Sequence, residues 1–441
     1  MNPQRFLRLV SGAMAALGIS AAAIVALNLR GEDPLPSAET LKPTPALVAQ
    51  GEYLTRVGNC MACHTVQGGA PFAGGRGIET PFGVVYSSNL TPDKATGLGA
   101  WTSAEFWRAM HNGRGKDGRL LYPAFPYTSY THVTREDSDA IFAYLQSLPT
   151  VAQANKAHAL RFPYSTQAAL GVWRALFFTP ADVAQPAASA PQALATAQVP
   201  DYQRGAYLVN GLGHCAACHT PRNSLGAEQQ GQALAGGLIP VQNWLAPALT
   251  DAGQAGVQRW PQADVVALLK TGVAPQASVI GPMAEVVFRS TQYLSDADAR
   301  AMAVYLQALP QHAATPAKQA VAPASVMERG AKVYEAQCAQ CHGAQGQGAK
   351  DEAGQPAFPP LAGNRAVVLA DPTNLVRVVL QGGYLPATAG NPRPHGMPPF
   401  QHLLGDEDVA AVATFVRNSW GNQAAGVGTI EVYRARERRS P

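Results

Sequence analysis

The longest hydrophobic pattern in the chain is a largely apolar run near its amino terminus. It covers about residues 9–29, behind Arg5 and Arg8 and ahead of Arg30. A helix of about 20 apolar residues can cross a bilayer, and the positive-inside rule leaves its basic end in the cytoplasm. A cleaved signal peptide is the alternative, because the alanines at 21–23 offer a small-residue cleavage site. The sequence favours an uncleaved anchor, and both interpretations export everything after Arg30.

Three later segments have the spacing of amphipathic helices, at 137–149, 296–310 and 406–420. Their apolar residues recur at three- and four-residue intervals, which places them on one helical face. Ser and Asp residues at their starts can supply N-caps, and Pro149 and Pro310 end the first two. Each segment therefore predicts a helix that closes a longer unit.

A second helical segment precedes each closing helix, at 50–60, 204–215 and 329–338. Each of these segments runs directly into a Cys-x-x-Cys-His motif. The pattern of helix, motif, loops and closing helix therefore occurs three times. Such a period indicates repeated structural units.

All six cysteines of the chain lie in the three Cys-x-x-Cys-His motifs. Two cysteines three residues apart on a helical turn point the same way and can form two thioethers to one porphyrin, and the following His reaches the iron. A structural zinc site would need four ligands, and a thioredoxin-like motif would not need the His. We therefore predict three covalently bound c-type haems. The predicted attachment residues are Cys60, Cys63, Cys215, Cys218, Cys338 and Cys341, and the predicted proximal iron ligands are His64, His219 and His342.

The expected fold class is all-α, with three class I cytochrome c-like domains in tandem behind an N-terminal apolar helix. Ala/Pro-rich stretches at 179–200 and 311–325 predict linkers between the domains. The predicted parts are a signal or anchor with its linker at 1–43, domains at 44–178, 200–311 and 326–422, and a solvated arginine-rich tail at 423–441. The three domain ranges are called repeats 1, 2 and 3 below.

Two methionines are the predicted sixth ligands of the second and third haems. Electron-transfer haems commonly carry His and Met, and the Met raises the potential. Met397 lies in a Pro-flanked loop just before the last closing helix, where His395 and His402 are weaker competitors. In repeat 2, Met283 is the one methionine between the motif and the closing helix, and Met302 lies within that helix.

Repeat 1 has no methionine in the corresponding loop. Aligning Phe125-Pro126 with Met397-Pro398 places a phenyl ring at the ligand position, and Phe has no lone pair for iron. The remaining candidates for the sixth ligand of the first haem are His132, His111 and Met110. An open or water-bound iron is the fourth alternative, and the sequence leaves all four open.

Composition limits the other functions. The chain has 441 residues, is 47% hydrophobic and 14% charged, and carries a net charge of +4, which is too weak to indicate nucleic acid. It contains no G-x-G-x-x-G after a predicted strand, no P-loop and no G-x-S-x-G. Chemistry on an organic substrate therefore has no evident site, and electron transfer is the function expected.

Four segments resemble a known family: 80–102, 121–137, 214–228 and 281–298. Over roughly residues 45–420 the chain resembles the triple-haem cytochrome c subunits of bacterial membrane-bound dehydrogenases that act on alcohols, gluconate, fructose or sorbitol. The resemblance implies that a partner dehydrogenase of the flavin, PQQ or molybdenum type oxidises the substrate. The haems would then pass electrons to membrane quinone or a terminal oxidase, on the periplasmic side of the inner membrane.

Phe125 departs from the pattern of the sugar and alcohol complexes, which have Met there. The segment "LYPAFPY" is more similar to the branch that pairs with molybdenum hydroxylases of aldehydes or N-heteroaromatics. Two other functions stay open: a haem enzyme whose open first haem acts on peroxide or a small ligand, and a stand-alone carrier or oxidase subunit. The substrate of the partner and the order of the haem potentials do not follow from the sequence.

Overall fold

The structure, a computed structural model, describes residues 3–32, 35, 41–311, 322–352, 354 and 356–437. The chain divides into two compact units. Unit 1 comprises Met1–Thr55, Cys60–Gln185 and Asn223–Ala227. Unit 2 comprises Arg56–Asn59, Pro186–Arg222 and Glu228–Pro441. Most of the second predicted linker, 311–325, lies outside the described residues.

The apolar run and repeat 1 form seven helices and a small sheet. The helices are α1 (Pro3–Leu29), α2 (Pro45–Val57), α3 (Cys60–His64), α4 (Ser103–Asn112), α5 (Tyr127–Tyr130), α6 (Arg135–Ser147) and α7 (Gln167–Phe177). The strands β1 (Gly77–Thr80), β2 (Gly83–Tyr86) and β3 (Ala159–Leu160) form an antiparallel sheet in the order β1-β2-β3. In α1 the segment Val10–Leu29 is long and apolar enough to cross a membrane.

Repeat 2 combines helices with two strand pairs. The elements are a 3-10 turn (Thr196–Gln198), α8 (Val199–Tyr207), a π turn (Leu208–Leu212), α9 (Ala216–His219), β4 (Gly237–Ile239), β5 (Trp244–Ala246), α10 (Gln262–Thr271), β6 (Val273–Ala274), β7 (Ala277–Ser278), α11 (Pro282–Arg289), a 3-10 turn (Thr291–Tyr293) and α12 (Asp296–Gln307). The pairs β4–β5 and β6–β7 are both antiparallel.

Repeat 3 and the segment after it also combine helices with two strand pairs. The elements are α13 (Ala324–Gln337), α14 (Ala339–His342), β8 (Ala349–Lys350), β9 (Pro356–Phe358), α15 (Arg365–Val368), α16 (Thr373–Gln381), β10 (Gly383–Tyr384), β11 (Gly396–Met397), α17 (Asp406–Arg417) and α18 (Thr429–Glu437). The pairs β8–β9 and β10–β11 are antiparallel. The all-α expectation omitted these strands, since pieces of two to four residues carry no periodic signal.

The predicted closing helices are confirmed as α6, α12 and α17. Thr134 and Ser295 cap the first two, because their side chains accept from the N–H three residues on. Before α17, Gly405 makes no side-chain cap, so the expected Ser or Asp cap occurs in one of the three helices, and a threonine replaces it in α6. The helices α6 and α12 end at Ser147 and Gln307, shortly before the prolines predicted to stop them.

In each repeat, the first long helix crosses the closing helix at a glycine. The glycine–alanine pairs at the crossings are Gly51 and Ala140, Gly205 and Ala301, and Gly330 and Ala411. A Cβ added to each glycine would lie 1.9, 2.0 and 2.3 Å, respectively, from the alanine's carbonyl oxygen. No side chain fits at that distance, so glycine sets how closely the two helices approach.

A polar contact flanks each crossing. The residue before each glycine bonds to an acidic residue three positions before the paired alanine. The contacts are Gln50 to Asp137 at 2.9 Å, Arg204 to Asp298 at 2.8 Å and Arg329 to Asp408 at 2.8 Å. The same register of glycine, alanine and polar pair in all three repeats indicates one shared packing arrangement.

The carboxyl-terminal segment differs from the expected solvated tail. Residues Thr429–Glu437 form α18, and its Val432 and Ala435 are buried in a cluster with α16 and α17. Arg436 pairs with Asp406 at 2.8 Å. Val432 and Ala435 are three residues apart, so a short apolar stripe was present among the arginines. Their burial explains why this segment packs instead of remaining in solvent.

Candidate haem-attachment sites

Each Cys-x-x-Cys-His motif forms one helical turn. Helix α3 contains the whole first motif, and Cys215 and Cys338 immediately precede α9 and α14. Side chains three residues apart on such a turn lie on the same face. None of the six cysteines, which all lie in the described part of the chain, forms a disulfide. Both thiols of each pair are therefore placed to bond one porphyrin.

The ring of each motif histidine is held by a backbone carbonyl. The Nδ1–O distances are 2.7 Å for His64 and Ser88, 2.8 Å for His219 and Pro247, and 3.0 Å for His342 and Pro359. A carbonyl can only accept, so Nδ1 carries the proton and donates it. This tautomer leaves the Nε2 lone pair of each ring for a metal.

The backbone of each motif histidine is held as well, by a glycine. The glycine N–H donates to the histidine carbonyl at 2.8 Å for Gly74 and His64, 2.7 Å for Gly236 and His219, and 2.8 Å for Gly348 and His342. These glycines have φ of +75°, +78° and +70°, a region that other residues rarely adopt. We call the ring contact and the glycine contact together the histidine clamp.

The glycine in each clamp also permits a close chain approach. A Cβ on Gly74 would lie 2.5 Å from the carbonyl oxygen of Ser88, the same oxygen that accepts from the His64 ring. Added Cβ atoms on Gly236 and Gly348 would likewise come within 3.0 Å of the backbone at Pro247 and Pro359. Each glycine thus packs directly against the segment that orients the ring.

Burial reinforces this tautomer. The pKa of His64, His219 and His342 is lowered in each case, chiefly because burial removes water from the charged imidazolium. The hydrogen bond to the carbonyl acts in the opposite direction and is the smaller effect. The three rings are therefore neutral imidazoles at neutral pH, which is the form that binds iron.

In repeat 1, the segment around Phe125 lies beside the attachment motif. Burial, and then the nearby Cys60 and Cys63, raise the pKa of Tyr130 well above its usual value, which places its phenol close to both thiols. The Phe125 ring contacts the Tyr130 ring at 5.4 Å between centroids. His132 is half-buried, and its backbone N–H donates to the Ser129 carbonyl in the same short segment.

The other two sixth-ligand candidates of repeat 1 occupy α4. His111 is 6% exposed and stacks on Trp107, with ring centroids 4.5 Å apart and planes 14° apart. Met110 is 4% exposed. Both side chains are therefore packed in the interior of repeat 1.

The predicted methionines lie at the edges of short elements. Met283 is the second residue of α11 and packs, half-buried, with Leu268 against a cluster that includes Val279 and Val287. Met397 ends β11, where it pairs with Gly383, and is also half-buried. Both are more exposed than Met302, which is buried with 3% of its surface exposed.

These features fit covalent haem better than a metal bound by the protein alone. The described residues contain no group of three or more His, Cys, Asp or Glu side chains that could hold a metal ion. Each motif instead offers two thiols that can bond the porphyrin and one neutral histidine that can bind its iron. Sequence reasoning found the motif residues. It missed the clamp carbonyls, because any residue type can supply a carbonyl.

Comparison with known proteins identifies the family. The family model for cytochrome c matches residues 48–149, 202–310 and 327–420. The chain belongs to the cytochrome c family. Members of this family bind haem covalently through their Cys-x-x-Cys-His motif, and the three matches coincide with the three repeats.

Several relatives of this cytochrome are subunits of dehydrogenases. It is 38% identical to the cytochrome c subunit of the alcohol dehydrogenase (quinone) of Gluconacetobacter polyoxogenes, over 92% of this chain and 87% of that protein. It is 39% identical to the gluconate 2-dehydrogenase cytochrome c subunit of Pantoea cypripedii, over 88% of each. The resemblance expected from the sequence is therefore confirmed.

A third relative belongs to a different kind of protein. The cytochrome is 40% identical to one of the subunits of the nicotinate dehydrogenase of Pseudomonas putida, over 85% of this chain but 30% of that longer protein. Nicotinate is an N-heteroaromatic acid. The similarity is thus spread over more than one class of dehydrogenase.

Proposed function

We propose that this cytochrome carries three covalent haems in three tandem, mainly helical domains and relays electrons from a partner dehydrogenase to membrane quinone or a terminal oxidase. The observation that carries the proposal is the histidine clamp, which recurs beside all three thiol pairs with the same atoms. The dehydrogenase subunits among the relatives support the assignment to such a complex. Haem supplies one-electron redox chemistry when bound, and the chain supplies ligands and orientation.

On the proximal side, His64, His219 and His342 would bind iron through Nε2. Their carbonyl partners fix the ring orientation and increase the basicity of the ligating nitrogen. The cysteine pairs would hold the porphyrin edge. The partners of each histidine are backbone atoms, so the clamp depends on its glycine and on the path of the chain.

On the distal side, Met283 and Met397 are the proposed ligands of the second and third haems. Their support is the half-buried position of each at the end of a short element, where a thioether can turn towards a cofactor. In repeat 1 the proposed ligand is His132. It lies two residues from Tyr130, whose phenol is close to the attachment thiols, whereas the ring of His111 is already stacked on Trp107.

We further propose that α1 remains as a membrane anchor and that the haem domains lie on the periplasmic side. The end of α1 is attached to repeat 1 by a polar network. Asn28 donates to the Gly171 carbonyl at 2.9 Å and accepts from Arg174 at 3.0 Å. Glu32, just beyond the helix, pairs with Arg114 at 2.7 Å. A helix whose end is bonded to the folded domain in this way suits an anchor of the mature protein better than a cleaved signal peptide.

The test is purification of the intact protein from native membranes. Intact mass should show the full chain plus three haems, and a dehydrogenase subunit should co-purify. Electrons from that subunit's substrate should reduce the haems, and added quinone should reoxidise them. Isolation without any dehydrogenase would favour a stand-alone carrier and contradict the relay. A mass with fewer than three haems would contradict the cofactor count.

A further inference from the structure

The outer face of α7 is apolar where a surface helix usually carries charges. Ala168, Val172 and Leu176 lie at four-residue spacing and are all exposed, Leu176 by 60%. Arg174, the one charged residue of α7, is 3% exposed and donates to Asn28 of α1 and to the Asn112 carbonyl of repeat 1. A surface helix of a soluble protein normally turns polar side chains outward. The stripe of Ala168, Val172 and Leu176, called the α7 stripe, therefore suggests a non-aqueous neighbour.

Helix α7 lies alongside the last turns of α1. An added Cβ on Gly171 would lie 3.9 Å from Ile24, and the Gly171 carbonyl accepts from Asn28 at 2.9 Å. Two residues beyond Asn28, just past the end of α1, Arg30 donates to the carbonyl of Phe178. The contacts advance in the same direction along both helices. The two helices therefore run side by side and parallel.

This arrangement places α7 at a definite depth relative to the candidate span Val10–Leu29. At 1.5 Å per residue, Ile24 and Asn28 lie roughly 2 to 8 Å inside the end of that span. Gly171, which contacts both, lies at the same level. The end of a membrane span lies at the boundary between headgroups and acyl chains, so the first half of α7 lies near that boundary. Trp173, partly buried on α7, is of a type enriched at that boundary.

We propose that the α7 stripe lies in the interfacial layer of the bilayer, next to the anchor. The occupant of this surface is lipid, because Ala168 and Val172, on either side of Gly171, lie near the level of the last turns of the apolar span, and Leu176 continues the stripe at the end of that span. The inference rests on the proposed anchoring by α1. It makes repeat 1 the membrane-facing part of unit 1, held by a span and an interfacial helix together.

The test is lipid photolabelling of the intact holoprotein. The protein is reconstituted in phosphatidylcholine vesicles that contain a lipid with a diazirine on its acyl chain, and labelled peptides are identified by mass spectrometry. Label is expected on α1 and on the peptide that contains Leu176. Leu403 of repeat 3, which is 62% exposed, is the matched control and should remain unlabelled. Leu176→Gln should reduce the label on α7 several-fold, and Leu403→Gln should change nothing.

The outcomes separate the two proposals. Label on α1 but none on α7 would overturn the interfacial position and leave the anchor intact. No label on α1 would overturn the anchor and with it this inference. Equal label on the Leu176 and Leu403 peptides would show that exposure alone controls labelling, and would also overturn the proposal.

A second, independent observation lies within unit 2, where α16 of repeat 3 binds β5 of repeat 2. The Asn374 Oδ1 accepts from the Leu245 N–H at 2.9 Å, and its Nδ2 donates to the Leu245 carbonyl at 2.7 Å. Asn374 is 4% exposed. Two residues beyond Leu245, Pro247 supplies the carbonyl of the His219 clamp. A side chain of repeat 3 thus restrains the segment that orients the proximal histidine of repeat 2.

The same helix contacts the distal side of that site. Arg377 is completely buried, and its guanidinium lies 4.9 Å from the centroid of the Trp244 ring. The Trp244 ring also contacts Gly281, whose φ is +56° and whose added Cβ would lie 2.7 Å from the ring. Met283 follows two residues later. Trp244 therefore connects a buried positive charge to the loop that carries the proposed distal ligand.

We propose that Asn374 and Arg377 are positioning residues that set the potential of the second haem from repeat 3. A buried positive charge disfavours the ferric state, which carries one more positive charge, so Arg377 raises the potential. Asn374 keeps the clamp carbonyl in place, which increases donation by His219 and lowers the potential. The proposal rests on His219 as a haem ligand.

The test is a redox titration of intact variants in which EPR resolves the three haems. Arg377→Gln should shift the second haem to lower potential, and Asn374→Leu should shift it to higher potential. Asn364→Leu is the matched control. This amide is 2% exposed and bonds to Ser278 and to Pro360, which adjoins the third clamp, so its loss should affect the third haem.

Opposite shifts confined to the second haem would support the proposal, because general destabilisation cannot produce two signs. Shifts of the same sign for Arg377→Gln and Asn374→Leu, or a larger shift at the third haem, would overturn it. Loss of the second haem from His219→Ala is the separate check on the ligand. If that variant retained a normal second haem, the assignment of His219 would fail, and the proposed positioning with it.

Discussion

Replacing Gly205 by alanine tests the helix crossing that all three repeats share. The new Cβ would lie 2.0 Å from the Ala301 carbonyl oxygen, 2.6 Å from its carbon and 2.8 Å from the Cβ of Tyr305. Real Cβ contacts are essentially never under 3.0 Å, so α8 and α12 must separate by at least 3.0 − 2.0 = 1.0 Å. Both near atoms of Ala301 belong to the backbone, so no side-chain rotation can relieve the contact.

The energies favour destabilisation. Overpacking of this kind costs about 1–3 kcal/mol. Alanine recovers about 1 kcal/mol of helix propensity relative to glycine. Separation also lengthens the Arg204–Asp298 contacts of 2.8 and 2.9 Å, which are partly exposed and contribute little. The net loss, centred on about 1 kcal/mol, should lower the melting temperature of repeat 2 by roughly 4–8 °C.

The assay must separate the repeats, since a multidomain chain does not melt in one step. Hydrogen exchange of α8 and α12 peptides, read by mass spectrometry, reports repeat 2 alone. Gly171→Ala is the matched control, because its Cβ would meet nothing closer than 3.7 Å and should gain only propensity. Unchanged or slower exchange in α8 and α12 of Gly205→Ala would refute the crossing argument.

Three further predictions concern the haem sites. Met397→Ala should lower the midpoint potential of the third haem in a redox titration, whereas Met327→Ala on α13 should not, and equal shifts would contradict ligation by Met397. Cys218→Ala should leave the second haem lost or bound by one thioether, measured by intact mass and haem staining, and three fully retained haems would refute the attachment. His132→Ala should convert the first haem from low to high spin in its EPR spectrum. An unchanged first-haem signal would exclude His132 and return the choice to His111, Met110 or an open iron.

The sequence predicted the features that repeat with a fixed period or motif. The three Cys-x-x-Cys-His turns, the crossing helices and the apolar α1 all appear where the patterns indicated. The contact surfaces between these elements were not predictable, because Gly51, Gly205 and Gly330 look like ordinary weak helix residues until a carbonyl is known to lie beside them. The packing of α18 was missed because four arginines outweighed two small apolar residues. Asn374 lies 129 residues from its partner, and no local pattern encodes such a contact.

The three sites have the same proximal contacts, which backbone atoms make. Their distal sides differ, because side chains supply the proposed ligands there. The proximal clamps use backbone atoms of Ser88, Pro247 and Pro359 and one glycine each, so the same contacts form in all three sites. The proposed distal ligands are all side chains, Met283 and Met397 in two repeats and His132 in the first. Equal clamps cannot set three different potentials. Any spread of potentials along the proposed relay must therefore arise on the distal faces, from buried charges such as Arg377, and from side chains such as Asn374 that restrain one clamp but not the others. Substitutions there should retune single haems without loosening their attachment.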